Sequence, residues 1–91
     1  MPFVKVGSLS TLPPGSVMEA LVGDGTYAIC NVGREGVYAL DGICPHSGGP
    51  LGQGALHGAT LVCPWHAWEF DCRSGGVPVK IEGDDIFIHV P

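Results

Sequence analysis

Five runs of the chain are continuously apolar or alternate between apolar and polar positions over four to six residues, which is the period of a strand: Phe3 to Val6, Val17 to Val22, Tyr27 to Val32, Val37 to Leu40 and Ile86 to Val90. No window sustains apolar positions three and four residues apart over several turns, and Pro13-Pro14-Gly15 stops any helix after Leu12. The chain therefore reads as all-β, with at most one short helical turn over Ser8 to Leu12. Asp24-Gly25 separates the second and third runs and is a favoured hairpin turn; Arg34-Glu35-Gly36 offers a second tight connection before Val37. Antiparallel pairing of these runs is expected.

The stretch from Asp41 to Gly76 breaks the pattern. It is crowded with Gly, Pro, Cys, His and Trp and offers only brief extended pieces at Thr60 to Val62 and Glu69 to Asp71. Long irregular segments in small domains are usually functional, and one so rich in potential ligands is expected to be ordered by what it binds. No repeat beyond its two short ligand motifs and no linker divides the chain, so residues 1–91 read as one domain carrying a ligand-rich insertion at 41–76.

Composition narrows the possibilities. With 91 residues, 45% hydrophobic and 14% charged, the chain has apolar material for a core but only the size of one small domain, a class that often draws stability from a metal or disulfides. Nine acids against four bases give a net charge of −5, which argues against nucleic acid and anionic membranes and for a protein partner with a basic face. No run approaches the roughly 18 apolar residues of a membrane span. Met1-Pro2-Phe3-Val4-Lys5 lacks the basic and apolar segments of an export signal, so a soluble, cytoplasmic location is expected. In that compartment four cysteines point to metal binding or free thiols rather than a disulfide framework.

Spacing singles out two of the four. Cys44-Pro45-His46 and Cys63-Pro64-Trp65-His66 read C-x-H, sixteen residues, then C-x-x-H, so each motif supplies one thiolate and one imidazole. Structural zinc sites commonly pair Cys with Cys and His with His, whereas each pair here is mixed. A binuclear iron–sulfur cluster accounts for the mixing if one iron takes both thiolates and the other both imidazoles. Zinc is the alternative. Cys30, in an apolar run, and Cys72, just after an extended piece, are expected to be buried thiols, and His57 and His89 lie outside both motifs and receive no metal role.

The sequence resembles the Rieske ferredoxin family over most of its length. Cys44-Pro45-His46-Ser47-Gly48-Gly49-Pro50-Leu51 is similar to the family's first cluster loop, and Cys63-Pro64-Trp65-His66-Ala67-Trp68-Glu69-Phe70-Asp71, followed by Ser74-Gly75, to its second. Pro78-Val79-Lys80-Ile81-Glu82-Gly83-Asp84-Asp85 is similar to the strand and turn that close the fold. The resemblance implies an antiparallel β-sandwich with a small cluster-binding subdomain built from two loops, and one [2Fe–2S] cluster held by Cys44, His46, Cys63 and His66. It implies a carrier of single electrons without catalytic residues of its own, working as a monomer between a flavin-dependent reductase and a terminal oxygenase. The small subunit of an NADH-dependent nitrite reductase has a similar pattern and is the second reading; a zinc-stapled interaction module is the third. A complete oxygenase is discounted, because only His57 and His89 remain to build a second iron site.

Two ferric ions, two sulfides and two thiolates sum to zero, against −2 with four thiolates, so the His-ligated centre accepts an electron more readily. Respiratory members of the family carry Ser and Tyr donors where this chain has Trp68 and Phe70, and a loop-to-loop disulfide where it has Gly49 and Trp65. Loss of those donors implies a potential near the low end of the Rieske range, roughly −150 mV, with some pH dependence in alkaline solution. Pro45 and Pro64 are expected to stiffen the loops, Gly48 and Gly49 to allow close backbone approach to sulfur, and Trp65 to shield the centre rather than fill the core. No Asp, Glu, Lys or Arg occurs from Gly42 to Trp68, so a neutral docking tip is expected, with Glu69, Asp71 and Asp41 steering a basic partner. The stretch from Gly75 to Pro78 is short where the family has a longer proline-containing loop, which implies a more exposed cluster or cover supplied by the partner.

Overall fold

The computed structural model describes residues 3–44, 48–65 and 67–90. Its strands are β1 (Phe3–Ser8), β2 (Val17–Val22), β3 (Gly25–Asn31), β4 (Val37–Asp41), β5 (Ala55–His57), β6 (Thr60–Val62), β7 (Glu69–Asp71), β8 (Val79–Glu82) and β9 (Asp85–His89). The helical pieces among the described residues are single 3-10 turns at Leu9–Thr11, Gly33–Glu35, Leu51–Gln53 and Cys72–Ser74. The fold is thus all-β and antiparallel, as the apolar pattern indicated, in three sheets ordered β1-β9-β8, β2-β3-β4 and β5-β6-β7.

The middle sheet is covered on both faces, and this explains why β3 reads as a nearly unbroken apolar run. Successive side chains of a strand point to opposite faces. Ile29 and Ala39 therefore join Leu12, Ala20, Ile86 and Ile88 in a core against the β1-β9-β8 sheet. Ala28, Cys30 and Leu40 face the other way and meet Cys44, Leu51, Leu61, Cys63 and Cys72 from the β5-β6-β7 sheet and the segments around it. Full burial of a side chain such as Ile29 or Leu61 stabilises by about 1.5–3 kcal/mol, so each face is anchored independently. Asn31 is a buried polar side chain on β3. It donates through Nδ2 to the Leu12 carbonyl at 2.8 Å and accepts the Gly33 N–H at 3.0 Å, which ties the segment after β1 to the end of β3.

The first hairpin turn is displaced by one residue from the expected Asp24-Gly25. Val22 pairs with Gly25, so the turn is Gly23-Asp24, with Gly23 at φ +59°. An Asp-Gly turn of the I′ kind needs positive φ at both central residues; with glycine available one position earlier, a single left-handed residue suffices. The same Gly-first spelling joins β5 to β6 through Gly58-Ala59 and β8 to β9 through Gly83-Asp84.

Two contacts fix the third sheet on the middle one. The Leu51–Gln53 turn lies so close to β2 that a Cβ on Gly52 would sit 2.7 Å from the Glu19 Cα. After the Cys72–Ser74 turn, Gly75 packs on Leu40, and Val77 pairs with Ala39 in an isolated antiparallel bridge. The short connection to β8 therefore runs flat along β4 instead of looping outward.

Candidate metal centre

Both motif cysteines sit at the ends of hairpins. The second motif caps β6 and β7, whose last pair is Val62 with Glu69. The first caps a minimal hairpin closed by a bridge between Ile43 and Pro50 and by the Leu51 N–H donating to the Gly42 carbonyl at 2.8 Å. Their backbone closures match. In the first, the Cys44 carbonyl accepts the Gly48 N–H at 2.8 Å and the Cys44 N–H donates to the Gly49 carbonyl at 2.8 Å. In the second, the Cys63 carbonyl accepts the Ala67 N–H at 3.0 Å and the Cys63 N–H donates to the Trp68 carbonyl at 2.8 Å. Each cysteine is thus bonded to the residues four and five positions later, so the two segments close in the same way.

Cys44 and Cys63 are each only 1% exposed and belong to one core cluster. The expected ligands His46 and His66, with Pro45 and Ser47, lie outside the described residues. Gly49 is the point where the loops meet: a Cβ built on it would lie 2.9 Å from the Trp65 Cγ and 3.1 Å from the Cys63 Sγ. A side chain at Gly49 would thus crowd a cysteine of the other loop, whereas one at Gly48 would meet nothing within 4 Å. Ala67 at φ +58° is a residue the sequence did not flag; it takes the position that Gly48, at φ +75°, holds in the other loop.

The tryptophans do not fill the core. Trp65 is 59% and Trp68 47% exposed, and Ile43, the residue before Cys44, is 44% exposed. Trp65 packs one edge of its ring over Gly49 beside the Cys63 sulfur and leaves the rest open. Three large apolar side chains are thus exposed on a stretch of sequence without Asp, Glu, Lys or Arg. Beyond it, Arg73 donates to Asp71 through Nε and Nη2 at 2.9 and 2.8 Å, and through Nη1 to Glu35 at 2.9 Å. The Arg73 side chain and backbone N–H hold the Asp71 carboxyl down at about 2. Asp41 and Glu69 are exposed.

Cys30 and Cys72 are buried, as expected. Burial pushes both thiols up, and a hydrogen bond from Cys30 to the Cys72 sulfur adds to the rise at Cys30. Thiols so disposed are poor nucleophiles and poor metal ligands. His89 makes an edge-on contact with Phe3 at 5.3 Å, and His57 is exposed on β5.

A model of the Rieske [2Fe–2S] domain matches residues 2–85. The chain belongs to the Rieske [2Fe–2S] family. It is 31% identical to the ferredoxin component of the naphthalene 1,2-dioxygenase system of Pseudomonas aeruginosa, over 94% of this chain and 93% of that one. That alignment runs over 98 positions on a chain of 91 residues, so it opens gaps in this member of the family. Among solved structures, the ferredoxin of carbazole 1,9a-dioxygenase from Nocardioides aromaticivorans IC177 superposes with a TM-score of 0.87 at 24% identity, covering 97% of each chain. A chain from Mycobacterium tuberculosis assigned as an NADH-dependent nitrite reductase small subunit gives 0.83 at 18% identity, over 99% of this chain and 96% of that one. These two likenesses establish the shared fold. As a Rieske [2Fe–2S] protein the chain carries one such cluster, and its relatives are ferredoxin components of oxygenase systems rather than the oxygenases. No helix among the described residues is long and apolar enough to cross a membrane.

Proposed function

We propose that Cys44, His46, Cys63 and His66 hold the [2Fe–2S] cluster, with both thiolates on one iron and both imidazoles on the other. The chain then serves as a cytoplasmic one-electron carrier from a flavin-dependent reductase to a terminal oxygenase. One observation carries the reading: two buried cysteines sit at hairpin ends with matching backbone closures, joined at Gly49, and each is followed within three residues by a histidine. The donor set suits the group, since soft thiolates and imidazoles are the Rieske ligands. Residues 1–91 form, on this reading, a single domain whose cluster-binding part is 41–76.

When bound, the cluster takes up and releases one electron. The chain's own residues set the conditions. Burial of Cys44 and Cys63 keeps water from the sulfur side, and the ring edge of Trp65 covers the gap over Gly49. Trp68 and Phe70 offer no hydroxyl to sulfur, so the added charge gains less stabilisation and the midpoint is expected near the low end for Rieske centres, roughly −150 mV. The uncharged, apolar surroundings suit brief contact with changing partners, because the partner need not desolvate charges at the tip.

Iron and acid-labile sulfide analysis, with an EPR spectrum of the dithionite-reduced protein, tests the cofactor; two irons and two sulfides per chain are expected. One zinc and no sulfide would instead establish the zinc-stapled module. Copurification with a reductase and electron delivery to an oxygenase are expected of the carrier. Stable association with a large haem and flavin subunit would assign it to nitrite reduction. A midpoint above zero would contradict the low-potential assignment.

A further inference from the structure

Beside the first ligand loop, the flat course of the connection after Ser74 leaves an open groove of about 210 Å³. Leu40, Ile43, Leu51 and Phe70 line it together with the exposed Asp41 and Asp71. We propose that this groove receives a single apolar side chain flanked by Lys or Arg on a loop of a partner protein, and so fixes that partner against the loop of Cys44. The inference rests on the electron-carrier reading and adds to it a contact that the ligand motifs do not contain.

Size limits the occupant. The volume suits one large apolar side chain and is below the roughly 300 Å³ at which small-molecule pockets begin. Position makes the groove relevant to the cluster loop, because Ile43 precedes Cys44 and bridges to Pro50, and the Leu51 N–H bonds to Gly42 at the loop's base. A side chain seated there touches the hairpin that carries Cys44.

Charge decides the flanking residues. Asp41 accepts the Ile43 N–H through Oδ1 at 3.0 Å, which holds its carboxylate in place. Asp71 and Glu35 share Arg73, so the acids around that side of the groove outnumber the base. A cationic neighbour on the partner meets complementary charge there. A second copy of the chain is a poor occupant: its net charge is −5, and of its four Lys and Arg side chains Lys5, Arg73 and Lys80 are engaged with its own carboxylates, which leaves Arg34 as the exposed cation without an ion pair among the described residues.

The test is a titration of oxidised holoprotein, ¹³C-labelled at Leu and Ile methyls, with three capped tripeptides: Arg-Leu-Arg, Glu-Leu-Glu and Arg-Ser-Arg. Saturable shifts at Leu40, Ile43 and Leu51 are expected with Arg-Leu-Arg, at an affinity at least threefold above the other two and falling with added salt. Asp41→Asn keeps the oxygen that accepts the Ile43 N–H and should weaken binding severalfold; Ile43→Ser should abolish it. Unchanged EPR spectra of both variants would show that the loop is intact. Equal response to all three peptides, shifts elsewhere, or indifference to both substitutions would overturn the proposal. Peptide-free shifts that grow with protein concentration would do so by placing a second copy in the groove. Reduction of the same holoprotein by a flavin-dependent reductase and its reoxidation by a terminal oxygenase, measured without peptide, report separately on the electron-carrier reading.

Discussion

In the first ligand loop the chain returns to the sheet through Gly48 and Gly49; in the second it returns through Ala67 and Trp68, although both loops close on the same two hydrogen bonds to their cysteine. Equal backbones do not require equal side chains. Gly49 is buried, and a Cβ on it would have no room against the Trp65 ring and the Cys63 sulfur. At the matching position of the second loop, Trp68 is 47% exposed, so a large side chain is accommodated there. The left-handed residues are both exposed and differ only in conformational cost: Gly48 takes φ +75° freely, and Ala67 takes φ +58° at a penalty of about 1–2 kcal/mol. The two cysteines thus share their backbone closures, while packing differs at the residue five positions later, a buried Gly49 against an exposed Trp68.

The comparison can be broken most severely at the cysteines. Cys44→Ser and Cys63→Ser should each lose nearly all bound iron and the visible absorption, and to the same extent. A variant that kept its cluster would show that its loop is not a ligand loop. Gly49→Ala comes next. Its methyl meets Trp65 and Cys63 closer than van der Waals contact allows, so a loss of about 1–3 kcal/mol is expected. For a domain of this size the melting temperature should fall by at least about 4 °C, with partial rescue by Trp65→Ala. A smaller effect is expected from exchanging the left-handed residues. Gly48→Ala meets nothing within 4 Å and should cost about 1 kcal/mol from backbone strain alone, whereas Ala67→Gly should be neutral or slightly stabilising in denaturant melts.

Smallest are the pH effects, which lie outside the loops and serve as controls. Asp71 titrates lower in the fold than in the unfolded chain, so its contribution is present above pH 3.8 and is lost as pH falls towards 2. The stability difference between wild type and Asp71→Asn should accordingly shrink over that window. Cys30 titrates higher in the fold, so its contribution is complete below about pH 9 and is lost as pH rises beyond it. Cys30→Ala should flatten the alkaline side of the stability profile.

Much of this architecture was legible in the chain. β2, β6 and β7 match the runs Val17 to Val22, Thr60 to Val62 and Glu69 to Asp71 residue for residue, because their apolar positions and bounding turn residues speak unambiguously. β5, as short as β6 and β7, escaped notice because Ala55-Leu56-His57 has no β-branched residue, Phe, Tyr or Trp, and it is a strand only through its pairing with β6. The ligand motifs stood out by composition, but the matching closures of their cysteines did not, since these reside in hydrogen bonds between residues with unlike side chains. The exposure of both tryptophans and the groove over Leu40 and Phe70 arise where separate sheets meet, which local sequence does not encode. The short stretch from Gly75 to Pro78 was visible as a departure; that it lies against β4 became apparent only from the Ala39–Val77 bridge.

Pulsed EPR of the dithionite-reduced protein, prepared with ¹⁵N-histidine, tests the central claim most directly, because it asks which side chains touch the cluster. Strong couplings from two histidine nitrogens are expected, unchanged in His57→Gln and His89→Gln and lost when His46 or His66 is replaced. Absence of histidine coupling, or its loss in the His57 or His89 variant, would contradict the assignment of Cys44, His46, Cys63 and His66 as the ligands.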